Sequence, residues 1–344
     1  MKSYLKTYNI TIFCLYGRKY GYGHYSRIKS LTTKFSNKIN LITFGDRIKK
    51  NEKKFKNYKN YNDINSFINK NFKIKKKSLA ILDISNENII KQSKINIFYK
   101  KILKLYNKII IIDSINNESL FKKIKKKVDC LIIPYQISNL YKKKYKNINL
   151  ITFPNIFFCD EKLLNSKKNI TKKINSCLIS LGSTDNLNIN LKLLNIVKTK
   201  IYSNVKFTII LGKFLKTNYK NMLKKKFKNK KNIIIKEFNS NFDRYLKKND
   251  LIISSSGITK YEALILKKPN IRIYKDKNEK KLDTEFSKIQ NLRGFIFDSE
   301  IKLFNNYLKK LFFSQIFYTN ILKKNYKMLI GLKIKKINTI DARI

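Results

Sequence analysis

Arginine, glycine, proline, tryptophan and histidine are all scarce in this 344-residue chain: seven of the 77 basic residues are Arg, and there are nine Gly, three Pro, no Trp and one His. The shortage of Arg argues against nucleic-acid binding despite a formal charge of +55, because Arg is the residue suited to bidentate phosphate and guanine contacts. The lysines are spread from end to end, and Lys, Asn, Ile, Tyr and Phe abound, which is the residue set of A/T-rich codons. The charge therefore reads as compositional bias, leaving a weak, non-specific attraction to anionic surfaces and no specific nucleic-acid partner. Cys14, Cys130, Cys159 and Cys177 form no C-x-x-C pair and read as buried free thiols of a reducing compartment. No apolar stretch approaches the ~18 residues of a transmembrane helix. The opening MKSYLKTYNITIFCLYG lacks the apolar length and cleavage site of a signal peptide. A cytoplasmic protein without a transmembrane segment is expected.

What is present is enough apolar material, 43% hydrophobic and 13% aromatic, for two real cores. The length exceeds what one core sustains, so two domains of about 150 residues are expected. Short β-branched runs alternate with amphipathic, lysine-faced segments: 9-NITIFCLY-16, 39-INLITFG-45, 79-LAILDIS-85, 108-KIIIIDS-114, 128-VDCLIIP-134 and 149-NLITFP-154, then 176-SCLISLG-182, 205-VKFTIILG-212, 232-NIIIKEF-238, 250-DLIISSS-256, 270-NIRIYK-275 and 294-GFIFD-298. Continuous apolar runs separated by helical segments mean parallel strands covered on both faces. The expected fold is α/β, two doubly wound Rossmann-like domains facing a cleft, spanning 1–160 and 172–344. From about Ser299 the pattern turns helical up to Gly331, a plausible C-cap.

Where glycine is rarely supplied, a retained one is expected to meet a backbone demand. Three glycines and the single His fall in 17-GRKYGYGHYSR-27 after the first strand. Gly21 and Gly23 would let a ligand approach the main chain, and a helix starting at His24 favours an anion and disfavours the cationic imidazole, suiting His24 to act as a neutral base. An ordinary surface His is the competing reading. Arg27, about one turn along the helix, is expected to bind substrate or to brace the loop or the cleft. Strand ends also carry 180-SLGSTDN-186, 212-GKF-214 and 253-ISSSGITKYEAL-264. Gly182, Ser183, Thr184 and Asp185 could hydrogen-bond phosphate, or Thr184 or Asp185 could simply cap a helix. Ser255, Ser256, Gly257 and Thr259 repeat the logic, with Glu262 either reaching a ribose or base or lying solvated. Asp83 and Asp113 close strands of the first half and could line the same cleft or cap loops. No P-loop, HExxH, G-x-S-x-G, zinc spacing or G-x-G-x-x-G occurs, so neither metal nor cofactor is expected.

Taken together, GYGHYSR resembles the GxGHxxR signature of the UDP-2,4-diacetamido-2,4,6-trideoxy-β-L-altropyranose hydrolase family of pseudaminic acid biosynthesis and its relatives among spore-coat-polysaccharide-type glycosyltransferases. LISLGSTDNLNINL resembles that family's strand and G-G-[ST]-D loop, and DLIISSSGITKYEALILKKPNI its T-x-W-E helix, with Tyr261 in the Trp place. Asp83 and Asp113 fall where family members carry strand-end aspartates, and MLIGLKIKKI resembles the closing helix. The resemblance implies a B-type glycosyltransferase fold and hydrolysis of a UDP-linked sugar in surface-glycan biosynthesis. It implies His24 as the base activating water, Gly182 to Asp185 and Ser255 to Gly257 around the diphosphate and uridine, and Glu262 on the ribose. Transfer from the same donor to an acceptor hydroxyl is the alternative reading, and a non-enzymatic nucleotide or polyanion binder the third. The Arg-x-Asp that often ends the first strand is missing, with Phe13 and Leu15 near those places, and the His usual after the Asp83-like aspartate is Ile84.

Overall fold

A computed structural model describes residues 8–34, 39–49, 55, 57–71, 77–86, 89, 94–113, 128–136, 142–143, 145–164, 173–184, 188–239, 241–289 and 292–330. Asp185, Gly331 and most of the closing MLIGLKIKKI lie outside the described residues. The chain divides between Cys159 and Asp160 into two compact units.

In the first unit the apolar runs, with one polar segment, form β1 (Asn9–Tyr16), β2 (Ile39–Gly45), β3 (Asn57–Tyr61), β4 (Ser78–Asp83), β5 (Lys108–Ile112), β6 (Cys130–Ile133) and β7 (Leu150–Thr152), in the order β3-β2-β1-β4-β5-β6-β7. Every neighbouring pair is parallel. Both faces of the central strands are buried, which is why they read as uninterrupted Ile, Leu and Phe; all six residues of β4 are buried. The core on one side is aromatic: Phe13 meets Phe67 and Phe98 edge-on at 5.3 and 5.8 Å between centroids, and Phe44 packs on the same rings. Each such pair contributes about 0.5–1.5 kcal/mol beyond its area.

The second unit repeats the plan with β8 (Ser176–Ser180), β9 (Lys206–Leu211), β10 (Ile233–Glu237), β11 (Leu251–Ser255), β12 (Asn270–Tyr274) and β13 (Gly294–Ile296), ordered β10-β9-β8-β11-β12-β13 and again parallel throughout. It ends in helices Phe297–Phe313 and Gln315–Ile330, separated by Ser314 with extended backbone. All four cysteines are buried, and none forms a disulfide. No described helix is long and apolar enough to cross a membrane.

Two elements depart from expectation. β3 reads NYKNY and is not an apolar run, because it sits at the sheet edge with only partial burial. The run 294-GFIFD-298 splits, its last two residues turning into the following helix.

A buried polar cluster stitches the second unit together. Asp283, 1% exposed, accepts from Lys260 Nζ, from Arg272 Nε at 2.7 Å and from the Tyr274 hydroxyl at 2.5 Å, while Arg272 Nη2 donates to Ser287 Oγ at 2.9 Å. Gly294 on the neighbouring strand leaves room for the Tyr274 ring, which any Cβ there would overlap. Asp283→Ala strands two buried cations, so a loss of about 3–5 kcal/mol is expected in urea unfolding. Asp298→Ala, removing a pair exposed on both sides, should cost only about 0–1 kcal/mol. Equal midpoints for the two variants would refute the structural role of the cluster.

Candidate active site

In an open parallel sheet the loops after neighbouring strands diverge where the strand order reverses, leaving a crevice at the carboxyl ends. In the first unit that point lies between β1 and β4, and in the second between β8 and β11. The loop 17–23 follows β1, Asp83 ends β4, the loop 181–184 follows β8 and Ser255 ends β11. These four stand at the switch points of their sheets, whereas the predicted stretch 212-GKF-214 follows β9 and Asp113 follows β5, each one strand away.

On the first sheet, the Gly21 amide donates to the Gly17 carbonyl at 2.7 Å, folding the loop back before helix Gly23–Leu31 begins. Gly21 takes a φ of +83°, which favours glycine. Gly23 carries no such demand, and a Cβ there would meet only Arg27 Nη1, at 3.9 Å. His24 and Arg27, three apart, share the buried face of this helix, with Tyr25 packed edge-on against Tyr16 and Tyr22.

Both basic side chains turn onto Asp83. His24 Nδ1 lies 2.7 Å from Asp83 Oδ1, Arg27 Nη2 donates to Oδ1 at 2.8 Å, and Arg27 Nε donates to Oδ2 at 3.0 Å. Burial alone would raise the Asp83 carboxyl, but the Arg27 guanidinium and His24 outweigh it and hold it below the usual range. An ionised carboxylate only accepts, so the proton between Oδ1 and Nδ1 belongs to the imidazole. The neutral ring is then the Nδ1–H tautomer, and its Nε2 is an acceptor. Arg27 Nη2 also lies 2.9 Å from Nδ1, and Nη1 donates to the Tyr135 hydroxyl at 3.2 Å. Arg27, placed by the sequence among substrate-binding residues, is 3% exposed and spends its donors inside the protein. Asp113 ends up buried after β5, with its amide bonded to the Ile132 carbonyl. Its charge adds to burial in raising the Tyr99 and Tyr135 hydroxyls.

On the second sheet, Gly182 has a φ of +93°, and a Cβ on either Gly182 or Gly257 would face Ser255 Oγ at 3.6 Å. Residues from the ends of β8 and β11 therefore converge on one hydroxyl. The third predicted stretch supports this loop: the Phe214 amide donates to the Ser183 carbonyl at 3.0 Å, and a Cβ on Gly212 would collide with the backbone of Gly182 and Ser183. Helix Ile189–Val197 starts after Asn188, which adopts the left-handed conformation, so Thr184 is a part-buried loop residue and not its cap. Ser256 and Thr259 are part-exposed, the latter opening helix Thr259–Ile265 without a side-chain cap. Glu262 keeps an edge in solvent, but burial pushes its carboxyl up to about 7, opposed by a hydrogen bond from Thr259 and aided by Asp160.

Sequence reasoning missed Tyr135 and the role of Gly212. It also missed the Lys260–Arg272–Asp283 cluster, whose one visible signal is an arginine inside the strand NIRIY. Among the described residues no group of His, Cys, Asp and Glu could hold a metal ion.

Known proteins share the fold. Residues 176–293 match the glycosyltransferase family 28 C-terminal domain. Uncharacterized protein MJ1062 of Methanocaldococcus jannaschii is 32% identical over 129 residues, 37% of this chain and 26% of that protein, so the match spans about a quarter of the relative's length. Among solved structures, S. aureus MnaA with UDP aligns at TM-score 0.60 and 13% identity over 92% of this chain and 91% of that one. Acinetobacter baumannii MurG aligns at 0.57 and 9% over 95% and 96%, and Phytolacca americana UGT2 with UDP-2fluoro-glucose and pterostilbene at 0.57 and 9% over 94% and 94%. The fold is that of the B-type glycosyltransferases.

Glu262 holds its proton to about pH 7 in the folded chain, but only to about pH 4.3 when unfolded. Between those values the folded state binds more protons, so this residue makes stability fall as pH rises. Glu262→Gln removes that dependence, and its thermal midpoint relative to wild type should improve progressively from about pH 4.5 to about pH 7.5. A difference independent of pH would show that the carboxyl is not held in its buried setting.

Proposed function

We propose that the protein is a glycosyltransferase using a UDP-sugar donor, with His24 as the base that activates an acceptor hydroxyl. The observation that carries this reading is the His24–Asp83 pair at one sheet's switch point, in a chain whose other sheet matches a glycosyltransferase domain. The second unit binds the nucleotide through the loops 182–184 and 255–257, where glycine backbone and serine hydroxyls are available to phosphate; Glu262 takes the ribose. Structural neighbours solved with UDP or a UDP-sugar analogue support that choice of ligand.

The reaction balances with one base. His24 Nε2 takes the acceptor proton, the acceptor oxygen bonds to the anomeric carbon, and the carbon–oxygen bond to the diphosphate breaks, its electron pair leaving with UDP. A nucleoside diphosphate is a good leaving group whose charge loop amides and lysines stabilise, so the paired carboxylates of glycosidases are not needed. The GYGHYSR signature favours a second reading, in which water replaces the acceptor and the enzyme is a nucleotide-sugar hydrolase. The family 28 match favours transfer.

Incubating a panel of UDP-sugars with and without candidate acceptors separates the two: UDP release that needs acceptor supports transfer, and free sugar without acceptor supports hydrolysis. General-base catalysis supplies about 10²–10⁴-fold, so His24→Asn should lower kcat by that factor while UDP affinity stays near wild type; wild-type turnover in this variant would remove His24 from the chemistry. A Cβ at Gly257 would meet nothing closer than Ser255 Oγ, two residues back, at 3.6 Å, so Gly257→Val is expected to fold. It should therefore keep its thermal midpoint and lose UDP affinity by calorimetry; unchanged affinity would mean that UDP binds elsewhere.

A further inference from the structure

His24, Asp83 and Tyr135 come from three separate segments, and Arg27 touches all of them. We propose that Arg27 is the positioning residue of this cluster: its guanidinium fixes Asp83, so that Oδ1 holds His24 by Nδ1 and leaves Nε2 as the acceptor. The proposal rests on the reading of His24 as the base and deepens it.

The geometry makes the case in two steps. Nε and Nη2 grip the two carboxylate oxygens side by side at 3.0 and 2.8 Å, which fixes the plane of Asp83, while Tyr135 holds the outer nitrogen at 3.2 Å. Such a fork needs a planar guanidinium; a lysine offers only a point charge. The carboxylate so fixed presents Oδ1 to Nδ1, which sets the tautomer.

The second step is charge. Arg27 and Asp83, 3% and 0% exposed, form a buried ion pair with Nη2 2.9 Å from the ring, so the carboxylate that orients the imidazole has its own counter-ion. The other titratable groups around the cluster are Cys14, beside Asp83 in the sheet register, Tyr135, and Asp113, whose charge acts on Tyr135. Burial is the first cause that raises the Cys14 thiol and the Tyr135 hydroxyl, with Arg27 opposing it and Asp83 adding to it.

The single histidine makes the test direct. In tag-free protein labelled with ¹⁵N-histidine, long-range ¹H–¹⁵N correlations report one ring, its tautomer and its protonation, and need no substrate. Wild type should show the Nδ1–H tautomer. In Arg27→Met the carboxylate loses its fork, and an Nε2–H population should appear. An Nε2–H ring in wild type, or a ring that stays wholly Nδ1–H in Arg27→Met, overturns the proposal. Should the Met variant fail to fold, Arg27→Lys decides: without the fork, Asp83 is free to rotate and an Nε2–H population should appear, whereas a ring that stays wholly Nδ1–H overturns the clamp. Loss of turnover in His24→Asn tests the base itself, so failure of the base and failure of the clamp are told apart.

Discussion

Parallel pairing governs everything else in this protein. When every strand of a sheet runs the same way, each crossover returns along one face, and all the loops that leave strands emerge at a single edge. At most positions two neighbouring loops turn to the same side and close over each other. Between β1 and β4, and again between β8 and β11, the strand order reverses, and there such loops part. His24, Asp83, Gly182 and Ser255 lie at these two places.

The two openings are furnished by different physics. The first is lined with charge held under cover: Asp83, Arg27 and His24 are nearly inaccessible, and their mutual bonds determine which nitrogen remains available. Rigidity there comes from electrostatics at low dielectric, where breaking one contact leaves the others uncompensated. The second is built from backbone. Gly182, Gly212 and Ser183 interlock so closely that the loop has little choice of path, and its polar groups are amides and hydroxyls of fixed direction. A base needs a tuned proton, whereas an anion needs donors near its oxygens, and the two constructions suit those separate demands.

Strands with two buried faces were legible because burial imposes an uninterrupted apolar code, and helix Gly23–Leu31 was legible from its loop and spacing. β3 was not, since an edge strand owes its place to backbone pairing with β2 and not to its side chains. His24 and Arg27 could be placed on one helix face from their separation alone. That Asp83 joins them could not be read, because it requires the strand order β2-β1-β4, and no local pattern encodes the neighbour of a strand. Lys260 was hidden for another reason: in a chain this rich in lysine, a buried one looks like all the rest until Asp283 and Arg272 are seen around it.

Nine glycines in 344 residues is a sparse supply. In a composition that supplies so few, each survivor needs a cause, and the fold provides one for Gly182, through its left-handed backbone, and for Gly212, through the carbonyls pressed against it. It provides none for Gly23 or Gly257: neither has a positive φ, and a Cβ on either would meet nothing closer than 3.6 Å. Those two are the glycines beside His24 and Ser255. Under the proposed function such a residue has a cause outside the fold: a donor whose diphosphate lies against the backbone at the end of the strand.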